Sequence, residues 1–143
     1  MTIGVQITID ARDTRALSGF WALALGYVPE PPPGGYDSWE TWAREQGVPP
    51  ESMDLYAAIV DPDARRPRVL FQKVPEDKAA KNRMHLDVHV GGREMPAAER
   101  VQVRDAKVAE LVAAGARELA RYEEFGSSWV VLQDPEGNEF CVA

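Results

Sequence analysis

Met84-His85-Leu86-Asp87-Val88-His89 repeats the alternation of Val5-Gln6-Ile7-Thr8-Ile9-Asp10, with apolar residues at every second place in both runs. A period of two marks a half-buried strand, and a stretch with helical spacing follows each run. The correspondence continues further along. Tyr56-Ala57-Ala58-Ile59-Val60 runs into Asp61-Pro62, and Trp129-Val130-Val131-Leu132-Gln133 runs into Asp134-Pro135. A repeat on this scale decides architecture before any single motif does.

Residues 3–10 are expected as the first strand, with Ile3, Val5, Ile7 and Ile9 on one face and Gln6, Thr8 and Asp10 on the other. Asp13 is placed to cap a helix bearing the stripe Leu17, Phe20, Trp21 and Ala24, which Gly26 stops. Tyr27 and Val28 start a second strand, cut short by Pro29 and the run Pro31-Pro32-Pro33-Gly34-Gly35. An insertion over roughly 31–52 has no counterpart in the second half. In it, Asp37 and Glu40 form a candidate capping box for a short helix over 38–46 that carries Trp39 and Trp42 one turn apart. Residues 54–61 and 67–74 read as a hairpin, and the charged segment 75–82 as an exposed crossover. The second half then repeats the order. The strand at His85 leads to a helix from near Ala97 to Ala114 with Val101, Val108, Leu111 and Val112 as its buried stripe, a stop at Gly115, and a strand over Arg117 to Tyr122. The last hairpin turns on Asp134-Pro135-Glu136-Gly137 before a final strand over 138–142.

This pattern predicts an α+β fold of two tandem βαβββ modules, about 1–75 and about 83–143. The two are expected to pair into a single domain over 1–143, a curved, incomplete eight-stranded barrel around a pocket with helices outside. A chain of 143 residues suits one domain with a well-buried core. Its net charge of -7 and pI near 4.8 disfavour nucleic acid or an anionic membrane as partner, and leave a small neutral or cationic ligand open. Cys141 is the only cysteine, so an intrachain disulfide is excluded. With no signal-peptide pattern and no apolar run of membrane-spanning length, a soluble cytoplasmic protein is expected.

Three sets of residues carry a family resemblance: Asp134-Pro135-Glu136-Gly137-Asn138-Glu139-Phe140-Cys141; Phe20-Trp21 with Leu25-Gly26-Tyr27; and Phe71-Gln72-Lys73-Val74-Pro75 ahead of Asn82-Arg83-Met84-His85-Leu86-Asp87. In that order, inside a duplicated pattern, they resemble small glyoxalase-like members of the glyoxalase / bleomycin-resistance / extradiol-dioxygenase group, the vicinal oxygen chelate superfamily, over the whole chain. The resemblance implies a fold shared by isomerases, lyases, dioxygenases and antibiotic-sequestering proteins alike. Many relatives pair, so it also leaves a homodimer open.

Members that are enzymes usually hold a divalent metal at four positions, on the first and last strands of each module. Matching the halves puts these at Gln6, Gln72, His85 and Cys141, where the family typically has His and Glu, and only His85 matches. Two amides, an imidazole and a thiol supply little charge to a divalent ion, and amide oxygens are poor zinc ligands. No cofactor is therefore expected. A divalent metal is left open, at Gln6, Gln72, His85 and Cys141 or with Asp10, Asp87 or His89 substituting where strand geometry allows.

Alternation places His85, Asp87 and His89 on one face, and Gln6, Thr8 and Asp10 on the matching face of the sister strand. His85 and Asp87 are the candidate catalytic pair for acid-base chemistry, although same-strand neighbours at this spacing stand about 7 Å apart and need not touch. Trp39 and Trp42 either form a lid that stacks on a flat ligand or pack their helix onto the sheet. Cys141 either lines the pocket or behaves as a small buried hydrophobe. The candidate ligand-binding set is therefore Gln6, Thr8, Trp39, Trp42, Gln72, His85, Asp87 and Cys141. The leading expectation is a metal-free protein that holds a small, partly aromatic molecule, in the manner of the sequestering members. The alternatives are a metal-dependent lyase, isomerase or dioxygenase with His85 as a ligand, and a metal-free acid-base enzyme using His85 and Asp87.

Overall fold

The computed structural model describes residues 3–92 and 94–143. The chain is α+β, in two tandem βαβββ modules. The first comprises β1 (Ile7–Ala11), α1 (Thr14–Leu25), β2 (Val28–Pro29), α2 (Trp39–Glu45), a 3-10 turn (Pro50–Ser52), β3 (Tyr56–Val60) and β4 (Val69–Lys73). The second comprises β5 (Asp87–Val88), α3 (Ala97–Ala113), β6 (Arg117–Glu124), β7 (Ser127–Gln133) and β8 (Glu139–Val142). Each module has its own four-stranded sheet, ordered β1-β4-β3-β2 and β5-β8-β7-β6. The first strand pairs parallel with the last, and the other neighbours are antiparallel. Two compact units result: residues 1–22 with 26–76, and residues 23–25 with 77–143. No helix among the described residues is long and apolar enough to cross a membrane.

In the first unit the strand is shorter than its alternation suggests. Ile3 and Val5 are 90% and 71% exposed, because pairing with β4 begins only where the Ile7 N–H meets the Arg68 carbonyl at 3.0 Å. The buried side of the sheet is built from Ala11, Ile59, Val69 and Phe71. Helix α1 follows expectation: the Asp13 carboxylate accepts the Ala16 N–H at 2.9 Å, Leu17, Phe20, Trp21 and Ala24 are buried, and Gly26 closes the helix at φ 68°. Helix α2 is capped one residue later than the Asp37–Glu40 pattern indicates. There the Ser38 hydroxyl accepts the Thr41 N–H at 3.1 Å, since Ser38 is the residue with extended backbone at the helix entrance. The Arg68 guanidinium grips both Glu30 carboxylate oxygens, at 2.7 and 2.6 Å, and ties the start of β4 to the end of β2.

In the second unit the buried stripe of α3 is Arg104, Val108 and Leu111, whereas Val101 and Val112 are 38% and 44% exposed. An arginine can take an inward position when its charge is matched. Arg104 donates to Asp105 at 2.8 Å and to the Ser128 hydroxyl at 2.5 Å, and Asp105 also accepts from Arg121, which grips Glu118. This network fixes α3 against the face of β7 that carries the buried Val130 and Leu132.

The two Asp-Pro turns are stabilised alike and unequally. Asp61 accepts the N–H groups of Asp63 and Arg65 at 3.0 and 3.2 Å. Asp134, only 3% exposed, accepts the N–H groups of Glu136 and Asn138 at 2.9 and 3.0 Å, and the Asn138 amide as well. The fourth residue of each turn is left-handed: Gly137 at φ 90°, and Ala64 at φ 55°, where a side chain is strained. Asp134→Ala should therefore cost about 2 kcal/mol or more in urea unfolding, since it strands several donors. Ala64→Gly should gain up to about 1 kcal/mol, and a loss there would mean the strain is relieved in solution.

Candidate functional site

The parallel pairing of β5 with β8 sets Asp87 opposite Cys141 and Val88 opposite Val142. Val88 and Val142 are buried, so Asp87 and Cys141 turn to the other face, where Asp87 is exposed and Cys141 half-buried. His85 lies just ahead of β5, and its Nε2 stands 3.4 Å from Asp87 Oδ1, with both side chains about half exposed at 52% and 51%. The short β5 explains this closeness, because a residue outside the strand is released from strand spacing. Ligand atoms of His85, Asp87 and Cys141 all fall within 4.8 Å of one another.

Burial pushes the Cys141 thiol up, and the Asp87 carboxylate pushes it further, through its charge and as hydrogen-bond acceptor, with Lys81 opposing. The sulfur is thereby favoured as a thiol over a nucleophilic thiolate. Cys141 is half-buried and is not an activated nucleophile.

The same face continues across the sheet. Val131 stands opposite Cys141, Ala120 opposite Val131, and Trp129 stacks on Tyr122 with ring centroids 5.5 Å apart at 21°. Toward the other end, Glu139 meets Lys78 at 3.5 Å and the Asn82 N–H at 3.3 Å, so the crossover segment docks beside β8. Helix α3 packs on the opposite side, through Arg104 and Ser128, leaving this face open.

The first unit is arranged differently from the matching of the halves by alternation. Asp10 stands opposite Gln72, as Asp87 stands opposite Cys141. With Phe71 and Phe140 as equivalent buried anchors, Asp10 corresponds to Asp87, Thr8 to His85 and Gln6 to Arg83. The correspondence of Gln6 with His85 is therefore corrected by two residues. A slip of two keeps every side chain on its face, so alternation cannot detect it. Gln6 precedes β1, and its amide oxygen accepts from Arg68 at 2.8 Å while its nitrogen donates to Thr8 at 3.3 Å. Gln72 and Thr8 are exposed on β4 and β1. His89 is exposed just past β5.

Trp39 and Trp42 meet edge-on on α2, with centroids 5.3 Å apart, both half-buried, and the Trp39 indole donates to the Glu30 carbonyl at 2.8 Å. Trp39 is thereby tied to the sheet. The aromatic pair on the face of the polar cluster is instead Tyr122 with Trp129, and the sequence held a signal for it: Trp129 lies one alternate position from Val131 in the same strand.

The four metal positions taken from the resemblance do not fit a divalent ion. The Gln6 oxygen already faces the Arg68 guanidinium, which repels a cation, and the Gln6 and Gln72 amides bring no charge to offset that of a divalent ion. Among the described residues, His85, Asp87 and Cys141 are the group whose donor atoms converge, and a metal there would first have to displace the thiol proton.

A family model described as glyoxalase-like domain matches residues 6–143. Among solved structures, the chain is similar to a glyoxalase/bleomycin resistance protein/dioxygenase family enzyme from Burkholderia phytofirmans PsJN, at 19% identity over 96% of this chain and 94% of that one, TM-score 0.64. It is similar to the bleomycin-binding protein from bleomycin-producing Streptomyces verticillus, complexed with copper(II)-bleomycin, at 16% identity over 100% and 96%, TM-score 0.54. A fosfomycin resistance protein from Listeria monocytogenes, complexed with Mn(II) and 1S,2S-dihydroxypropylphosphonic acid, matches at 11% identity over 99% and 90%, TM-score 0.63. No functionally curated protein matches the chain.

Because Cys141 is the only cysteine, its chemistry can be read alone. Alkylation by iodoacetamide should be slow at neutral pH and rise only above the ordinary thiol range, since the folded pKa is raised. Asp87→Asn should shift that profile to lower pH and speed the neutral-pH reaction several-fold. An unchanged profile would show that Asp87 does not act on the thiol.

Proposed function

The chain belongs to the glyoxalase-like domain family, and on that premise we propose that it binds a small, partly aromatic organic molecule on the open face of its second sheet, without the four-position metal set of the superfamily. The observation that carries this reading is the convergence of His85, Asp87 and Cys141 within 4.8 Å on a face that α3 leaves uncovered. An imidazole, a carboxylate and a thiol offer donors and acceptors at one point, while Val131, Ala120 and the Tyr122–Trp129 pair give apolar surface beside them. A few polar groups that fix orientation against a mainly apolar wall are what small-molecule sites use. The net charge of -7 favours a neutral or cationic ligand. The bleomycin-binding structure from Streptomyces verticillus supports sequestration as a use of this fold. Gln6, Thr8 and Gln72 belong to the proposal only as exposed polar groups of the first unit, and Trp39 and Trp42 only through the outer surface of α2.

A second reading has its own observation. His85 Nε2 stands 3.4 Å from Asp87 Oδ1, near enough for the carboxylate to orient the imidazole, and an oriented imidazole can take a proton from a bound ligand at one atom and return it at another. In that reading Asp87 orients the imidazole and His85 moves the proton. Full turnover by Asp87→Asn on any substrate that the wild-type protein converts would remove it.

Protein purified without an affinity tag should contain well under one divalent ion per chain, and titration with zinc, nickel, cobalt, manganese and iron(II) should leave its aromatic-ligand affinity unchanged. A stoichiometric ion that His85→Ala abolishes would overturn the metal-free reading. In a calorimetric screen of water-soluble aromatic amines, Asp87→Ala should weaken the best binder about tenfold, as loss of a charged hydrogen-bond partner does. Unchanged affinity in that variant would sink the placement of the site.

A further inference from the structure

Tyr122 and Trp129 stand opposite each other on β6 and β7 and stack at 5.5 Å and 21°. Cross-strand aromatic pairs commonly staple hairpins, and this one does so too. Yet the pair faces away from α3, Tyr122 is 51% exposed, and Trp129 is half-buried, so a wide aromatic surface remains in contact with water. Its position is set by register. Trp129 is one alternate place from Val131, which stands opposite Cys141, which in turn stands opposite Asp87. Alternate residues lie about 7 Å apart along a strand and neighbouring strands about 5 Å apart, so Trp129, two strands over and one alternate place along, stands about 12 Å from Asp87, a gap shared between the two side chains and a ring held between them.

Charge narrows the ligand further. Alternation along β6 puts Glu124 on the same face as Tyr122, at the end away from Arg117, so the platform lies between the Glu124 and Asp87 carboxylates. The faces of Tyr and Trp rings also attract cations through their quadrupoles. A planar ring that carries positive charge satisfies the rings and both carboxylates together. A planar anion is opposed by all of them.

We propose that the Tyr122–Trp129 pair is the specificity-determining platform of the second unit, selecting a planar aromatic cation that stacks on it and reaches the Asp87 end of the face. This rests on the binding reading given above and adds to it the ligand class and the residues that choose it.

The test compares N-methylquinolinium, 2-naphthol and 2-naphthoate, three two-ring probes that differ in charge, by calorimetry and by indole resonances in NMR spectra of the full chain. The cation is expected to bind at least tenfold more tightly than the anion and to move the Trp129 indole signal. Tyr122→Leu, which keeps a good strand residue at an exposed site, is expected to weaken the cation about tenfold. Trp129→Leu, checked by circular dichroism for an unchanged fold, should do the same. Equal binding of 2-naphthoate and N-methylquinolinium would overturn the charge assignment. Wild-type affinity in both folded variants, with loss in Asp87→Ala, would overturn the platform while leaving the parent reading standing. Failure of all three probes to bind would overturn both.

Discussion

In each unit the first strand lies parallel to the last, and this pairing is the constraint on which the rest depends. Parallel neighbours cannot be joined by a tight turn, so the chain must leave through a helix and return through a hairpin before the sheet is complete. The buried Phe71 and Phe140 anchor the two returns, at 0% and 1% exposure. They also hold the register that sets Asp10 opposite Gln72 and Asp87 opposite Cys141. Cys141 is thus brought beside Asp87 by pairing across more than fifty positions of sequence, and the polar cluster exists only because that register holds.

The two units use one plan for different ends. In the first, the open-face polar groups are largely engaged with each other: Gln6 spans Arg68 and Thr8, and Arg68 spans Gln6 and Glu30. In the second, His85, Asp87 and Cys141 converge with donor atoms within 4.8 Å of one another, and an aromatic pair lies on the same face. Asp87 is the carboxylate that raises the Cys141 thiol and also the one the imidazole approaches.

Much of this was legible beforehand. The caps Asp13 and Gly26, the stripe of α1, the insertion bearing a short helix, and both Asp-Pro turns follow from local chemistry, which a single chain displays without a partner. The departures share another origin. Val101 and Val112 fit a helical stripe but are exposed, while Arg104 is buried, because Asp105 and Ser128 match its donors and no periodicity records that. Ile3 and Val5 alternate correctly but have no strand beside them. His85 and Asp87 come to 3.4 Å because β5 is only two residues long, a property of what it pairs with rather than of its own residues.

The sequence by itself determined the duplication, the α+β class, the strand and helix order, and the face on which His85, Asp87 and their neighbours lie, since these depend on periodicity and local turn chemistry. It also picked out His85, Asp87 and Cys141 as candidates. Only the tertiary structure decided their register, correcting Gln6 to the equivalent of Arg83 and Thr8 to that of His85, because a two-residue slip leaves alternation intact and is resolved only by which backbone groups hydrogen-bond. The tertiary structure likewise decided which aromatic pair stands beside the cluster. Trp39 and Trp42 are joined by helical spacing within one element, whereas Tyr122 and Trp129 meet across a hairpin, where the register of two paired strands decides which residues face each other.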